Sequence, residues 1–280
     1  GSVILPLHNP IRVAEEWAIV DNLSNGRVDL AFGQGWNPND FTLAPLRYQN
    51  RLQDMYQDIE TVKKLWRGEA ITLANGVGES RQIQTFPPAI QDELAVWITC
   101  SGGAERFIEA GARGANILTA LLFQDIAELE LKLQAYRQAR ADHGFDPAAG
   151  QVSLMLHTYI GEDYNSVKEK VRQPFLKYLE DSIDLWRQKS IELDKLTAEQ
   201  KTQVLDFAFQ RYFRSQSLCG TPESSLEQVR QLQAIGVTEI CCLLDFGIAT
   251  ESVMASLWSL KRLKDLANQS TSSTQQEMRA

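Results

Sequence analysis

The stretch Val3–Trp36, VILPLHNPIRVAEEWAIVDNLSNGRVDLAFGQGW, decides the fold. Val3, Ile4 and Leu5 form a continuous apolar run, which suits a strand covered on both faces of a parallel sheet, and Pro6 closes it. Ile11, Ala14, Ala18, Ile19 and Leu23 then recur at helical spacing. Asn9 and Pro10 suit the first positions of that helix, and Asn25-Gly26 suits its C-terminal turn. A second apolar run ends in Gly33-Gln34-Gly35. Strand, helix, parallel strand is the unit from which α/β folds are built.

Outward from that unit the same alternation continues. A helix is expected over 47–66, with Leu52, Met55, Ile59, Val62 and Leu65 as its apolar stripe. Residues 68–88 read as short alternating segments bending at Asn75-Gly76, an inserted hairpin. Ala95–Cys100 is the next buried strand, and Ser101-Gly102-Gly103 opens the helix after it. Residues 116–122 form another strand, and Asp125 caps a long helix ending near His143-Gly144. Over 152–160 one face carries Val152, Leu154, Leu156, Thr158 and Ile160, and the other Ser153, Met155, His157 and Tyr159, a mixed interior. Residues 162–213 are a helical excursion too long for an ordinary connection, expected to wall the carboxyl-end mouth with Val167, Val171, Phe175, Leu179, Ile183 and Trp186 turned inward. Gly220-Thr221-Pro222-Glu223 starts a helix, 239–246 is the last buried strand, and 250–266 is the closing helix. This makes 1–267 one domain and 268–280, NQSTSSTQQEMRA, a disordered linker or tail.

The barrel-type strands fall at 3–7, 28–35, 95–101, 116–122, 152–161 and 239–246. The number of units favours a (β/α)8 barrel of the TIM type, with the helical insertion before the last strand. Periodicity alone suits an open doubly wound sheet equally well. With 280 residues and a hydrophobic fraction of 44%, the chain can form one large core. Its apolar runs break within about ten residues, against the ~20 that a bilayer needs, and Gly1 leads directly into a strand, so neither a span nor a secretory leader is expected. A net charge of -8 without a basic cluster argues against nucleic acid and anionic membrane, and the location expected is cytoplasmic. Cys100, Cys219, Cys241 and Cys242 have no metal-ligand spacing, and His8, His143 and His157 make no HExxH motif, so no metal site is expected.

The opening run resembles the bacterial luciferase-like flavin-dependent monooxygenases, in particular the branch found in polyketide and nonribosomal peptide assembly lines. The resemblance rests on HNP, AEEW, the DNLSNGR turn and a glycine-ended strand in one order, and continues through YQDIETVKKLWRGE, LMLHTYIGED, CGTPE and EICCLLDF. It implies a (β/α)8 barrel whose first two strands, and the family's catalytic histidine, lie upstream of Gly1. The exposed parallel edge this would leave suits self-association as a homodimer. The resemblance also implies reduced FMN from a separate flavin reductase, O2, and an organic substrate that is a small molecule or is tethered to a carrier protein. A deazaflavin F420-dependent oxidoreductase and a non-catalytic flavin-binding or interaction fragment are the alternatives.

In barrels and open α/β sheets ligands sit at the carboxyl ends of the strands. There Ser101, Gly102 and Gly103 combine backbone N–H groups at a helix start with glycines that allow close approach, which suits a phosphate, although such glycines also make tight turns. The resemblance places the FMN phosphate at this loop, with Thr99 at the strand end. Family members often carry an arginine where this chain has Gln34. Ala31 and Gly33, small and alternating, would leave room for a flat ring; close helix-sheet packing is the other reading. His157 and His8 are the candidate catalytic groups, each able to donate to a flavin or oxygen atom and each also readable as structural.

Overall fold

The computed structural model describes residues 2–122, 124–181 and 197–277. In chain order the elements are β1 (Val3–Ile4), α1 (Pro10–Ser24), β2 (Asp29–Gly33), α2 (Arg51–Trp66), β3 (Ile71–Ala74), β4 (Ser80–Ile83), β5 (Ala95–Cys100), α3 (Ala104–Ala112), β6 (Asn116–Ala120), α4 (Ile126–Asp142), β7 (Val152–Ile160), α5 (Tyr164–Asp181), α6 (Ala198–Ser215), β8 (Leu218–Gly220), α7 (Pro222–Ala234), β9 (Glu239–Leu243) and α8 (Thr250–Glu277). All six expected barrel-type strands are present. The chain folds as two compact units, residues 1–118 with 135–150, and residues 119–134 with 151–280.

In the first unit β1, β2 and β5 are parallel neighbours. Ile4 stands opposite Gly33, Ala31 opposite Trp97 and Phe32 opposite Ile98. Leu30 and Phe32 are buried, as are Met55, Ile59, Val62 and Leu65, which form most of the expected α2 stripe. α1 starts as its sequence directs: the Asn9 side chain accepts from the Ile11 N–H at 2.9 Å, and Pro10 needs no partner. It ends at Asn25, which takes the left-handed conformation. The β3–β4 hairpin is antiparallel around Asn75, whose side chain accepts from Val77 and Glu79.

A buried carboxylate ties α1 to the segment that leads into β5. Asp21 is fully buried at the end of α1 and accepts from the Ile90 N–H at 2.8 Å, the Gln91 N–H at 3.0 Å and the Gln91 side-chain amide at 2.8 Å. The same amide reaches the Val28 carbonyl at 2.7 Å, just before β2. Burial pushes the Asp21 pKa up, but the donors from Gln91 and Ile90 outweigh it and hold the group below its ordinary value.

In the second unit β7 pairs with β9 along Ser153–His157 and with β8 along Thr158–Ile160, all parallel. The side chains of α5 and α6 bury a cluster of Val167, Val171, Phe175, Leu179, Leu205, Phe209, Tyr212 and Phe213 with Tyr159 of β7 and Phe246 beyond the end of β9. The excursion therefore covers the carboxyl ends of these strands. Ile183 and Trp186 lie outside the described residues.

Several boundaries differ from the reading of the sequence. β1 spans only Val3–Ile4 instead of 3–7, since Leu5–Leu7 turn into a 3-10 helix that contains Pro6. α2 begins at Arg51, because Pro45–Arg47 forms a separate 3-10 turn. β8 was hidden in the approach to α7. The closing helix runs to Glu277, so 268–277 are helical rather than irregular; no Gly or Pro stops it, and each added residue gains one backbone hydrogen bond. Among the described residues β1 pairs only with β2 and β9 only with β7, so the described strands do not close a ring.

Replacing Asp21 by Ala would take their shared acceptor from the part-buried N–H groups of Ile90 and Gln91. Urea unfolding should show a loss of about 3 kcal/mol. Because the folded pKa is depressed, the stabilisation is present above the ordinary carboxylate pKa and is lost as pH falls through the folded value. The Asp21→Ala variant should lack that acid-side dependence.

Candidate functional site

A cavity of about 420 Å3 opens in the first unit at the carboxyl ends of β2 and β5. It is lined by Ile4, Gly33, Gln34, Gly35, Trp36, Thr99, Ser101, Gly102, Gly103, Glu105 and Arg106. Its size is that of a small-molecule site. The first wall is the turn after β2. Gly35 has φ +77°, and a Cβ there would lie 2.8 Å from both Ile4 Cγ2 and Phe41 Cε2, so only glycine fits. Arg51 of α2 donates from Nε to the Gly35 carbonyl at 3.1 Å and lies 4.4 Å over the Tyr48 ring, fixing the turn from behind.

The second wall is the end of β5 and the start of α3. The Thr99 hydroxyl is hydrogen-bonded to that of Ser2. Gly102 faces open space, with nothing within 4 Å of where a Cβ would be. Gly103 is the N-cap of α3, and no side chain caps the helix. Glu105 and Arg106 follow in its first turn. Arg106 donates from Nη1 to Glu109 at 2.7 Å, and Glu109 also accepts from the Tyr56 hydroxyl at 3.0 Å. Behind the loop Cys100 is fully buried, and burial pushes its thiol up to about 12, so it stays protonated and unreactive near neutral pH.

Gly33, Gln34, Thr99, Ser101, Gly102 and Gly103, expected to bind cofactor, thus come together in one cavity. Ala31 is not among its lining. It pairs with Trp97, whose indole donates to Asp29 at 3.1 Å, toward the amino end of the strand. His8 is exposed and lies outside the lining. Ile4, Glu105 and Arg106 line the cavity although the sequence did not single them out; a position in the first turn of the helix after a glycine pair was the available signal for the last two.

His157 belongs to the second unit. Its Nδ1 is hydrogen-bonded to the Tyr212 hydroxyl, and its ring lies 4.6 Å from that of Tyr178, 5.1 Å from Phe246 and 5.9 Å from Phe175. The free space beside it is about 10 Å3, at the lower limit for one water molecule. Burial pulls its pKa down to about 4, with Asp245 opposing, so the ring is neutral near pH 7. Among the described residues no group of three or more His, Cys, Asp and Glu side chains is placed to hold a metal, and no helix is long and apolar enough to cross a membrane.

A parallel α/β fold with a cavity at the carboxyl ends of its strands places the chain among the α/β proteins whose candidate ligand sites lie at those ends. The sequence pattern of the luciferase-like monooxygenase family matches residues 1–239, and the chain belongs to that family. The oxygenase component of the flavin-dependent trigonelline monooxygenase of Acinetobacter baylyi is 21% identical over 267 residues, covering 92% of this chain and 72% of that protein. The alkanal monooxygenase alpha chain of the Kryptophanaron alfredi symbiont is 22% identical, covering 92% and 75%. The oxygenating constituent of 3,6-diketocamphane monooxygenase of Pseudomonas putida, solved with FMN, superposes with a TM-score of 0.69 at 16% identity, covering 94% of this chain and 76% of that one. An F420-dependent secondary alcohol dehydrogenase superposes with a TM-score of 0.66 at 16% identity, covering 91% and 76%.

The buried neutral histidine has a pH signature. Its folded pKa, about 4, lies below its ordinary 6.5, so the unfolded chain binds the extra proton first as pH falls. Stability should therefore drop between pH 6.5 and 4, by at most about 1.4 kcal/mol per unit. Unfolding measured across that range should show the slope in the native protein and lack it in His157→Gln.

Proposed function

We propose that the chain is the flavin-binding oxygenase part of a two-component monooxygenase, with reduced FMN as cofactor, delivered by a separate reductase. The observation that carries this reading is the cavity at the ends of β2 and β5, whose lining joins the glycine-bearing turns after these two neighbouring strands with Thr99. The residues suit the cofactor. The open space at Gly102 and the uncapped N–H groups at the start of α3 offer a seat for a phosphate. Gly33, Ile4 and Trp36 give the ring side an apolar, partly aromatic lining.

In family members of this kind the chemistry is the cofactor's: bound reduced flavin supplies the electrons with which O2 is activated. The chain's own task is to hold the phosphate, orient the ring and limit water. The Gly35 turn does the second, because Arg51 and Phe41 leave it one conformation. Cys100 and Tyr56 are held protonated by burial near neutral pH. His157 supports the aromatic cluster of the second unit. The substrate is organic, and in this reading it is a small molecule or a carrier-tethered intermediate. F420 dependence is the second reading, favoured by the fold shared with an F420-dependent dehydrogenase.

Titration with FMN, reduced FMN and reduced F420 decides between the readings. Gly102→Asp adds a carboxylate where nothing obstructs its Cβ, so the fold should be kept while FMN binding weakens by tenfold or more. Cys100→Ala, buried behind the loop, should bind FMN as the native chain does. Equal FMN affinity in the native chain and Gly102→Asp would remove this loop from the cofactor site, and tighter binding of F420 than FMN would transfer the site to deazaflavin.

A further inference from the structure

The cavity has two charged side chains among the described residues, and they are adjacent in the first turn of the nine-residue helix α3. They act on an anion in opposite directions. The Glu105 carboxylate folds back on the start of its own helix, so close to Gly103 that a Cβ there would collide with it. It is exposed at the mouth and holds an ion pair with no cation among the described residues. A carboxylate at that place enjoys the positive end of the helix, which is also the seat a phosphate would take. Arg106 is the one cation lining the cavity, and its Nη1 is already bound to Glu109. Gln34, on the facing turn, brings an amide and no charge.

We propose that Glu105 and Arg106 set the selectivity of this cavity for the phosphate group of its ligand: Glu105 competes with the phosphate for the start of α3, and Arg106 attracts it. The inference rests on the flavin reading. With the Glu105 carboxylate at the seat and the one cation of the lining already bound to Glu109, a phosphate gains little net attraction. The native chain therefore distinguishes FMN from riboflavin weakly. Most of its affinity comes from the ring and ribityl portions that the two flavins share. Removing the Glu105 charge leaves the N–H groups and Arg106 to the phosphate, and discrimination rises.

The test is the ratio of riboflavin to FMN dissociation constants, measured by flavin fluorescence at low ionic strength for the native chain, Glu105→Gln, Arg106→Gln and Arg106→Lys. Glu105→Gln should tighten FMN about fivefold and leave riboflavin unchanged. Arg106→Gln should weaken FMN by a similar factor, again with riboflavin unchanged, and Arg106→Lys should restore most of the loss. Raising the salt concentration should shrink all these differences. The inference is overturned if FMN binds but the ratio is the same in Glu105→Gln as in the native chain. If Arg106→Gln weakens both flavins equally, its role is structural and the Arg106 half falls, whatever Glu105→Gln shows. If the native chain binds neither flavin, the flavin reading itself fails, an outcome distinct from an unchanged ratio.

Discussion

The first unit depends on the register of β2 against β5. With Ala31 opposite Trp97 and Phe32 opposite Ile98, Leu30 and Phe32 point into the core and Gly33 lies on the opposite face, within 3.9 Å of Thr99 when a Cβ is placed on it. A shift of one residue would exchange the faces, exposing Phe32 or driving it into the cavity. Burial of these two side chains is one restraint on the register. The other is polar: Asp21 grips Ile90 and Gln91 just before β5, and Gln91 returns to Val28 just before β2. The amino ends of both strands are thereby aligned by one carboxylate, and the turns at their carboxyl ends inherit that alignment.

Much of this could be read from the sequence, for identifiable reasons. The long parallel strands carry continuous apolar runs, and their helices carry capping residues, Asn9 with Pro10 and Asp125, whose side chain accepts from Glu128 as a cap should. β8 could not be read, because Leu218–Gly220 is too short to show a period and its last residue serves the approach to a helix. The extension of α8 past Ala267 could not be read either, since a polar segment without Gly or Pro has no local stop. Alternation correctly put His157 on the face opposite Leu156 and Thr158, but which elements would cover that face is a tertiary property. Phe175 and Tyr178 come from α5 and Tyr212 from α6, many residues away in the chain.

That cover also bears on what the histidine can do. Phe175 and Tyr212 stack at 4.0 Å, Phe246 and Tyr178 stand edge-on to the imidazole, and the hydroxyl of Tyr212 satisfies Nδ1. A neutral ring in such surroundings costs little to bury, whereas a charged one would have to be desolvated. The same low polarity that pulls the pKa down thus holds the imidazole neutral, with one ring nitrogen a donor and the other an acceptor inside an apolar cluster.

The cavity of the first unit is poor in groups able to move protons, and the family explains why this is no deficiency. Where a cofactor brings the reactive atoms, the protein needs shape, a phosphate seat and a surface that limits water, and backbone can supply most of these. Backbone sites leave faint traces in sequence, since glycines at strand ends also serve as ordinary turns. Gly35 shows the difference between the two uses: its φ of +77° and the atoms of Ile4 and Phe41 at 2.8 Å exclude any side chain, so the residue is demanded by packing whether or not a ligand is present. Gly102 is the opposite case. Nothing in the fold occupies the space beside it, and its φ demands no glycine. A glycine that packing does not require, next to an uncapped helix start and facing a cavity, carries no mark in the sequence that separates it from an ordinary turn.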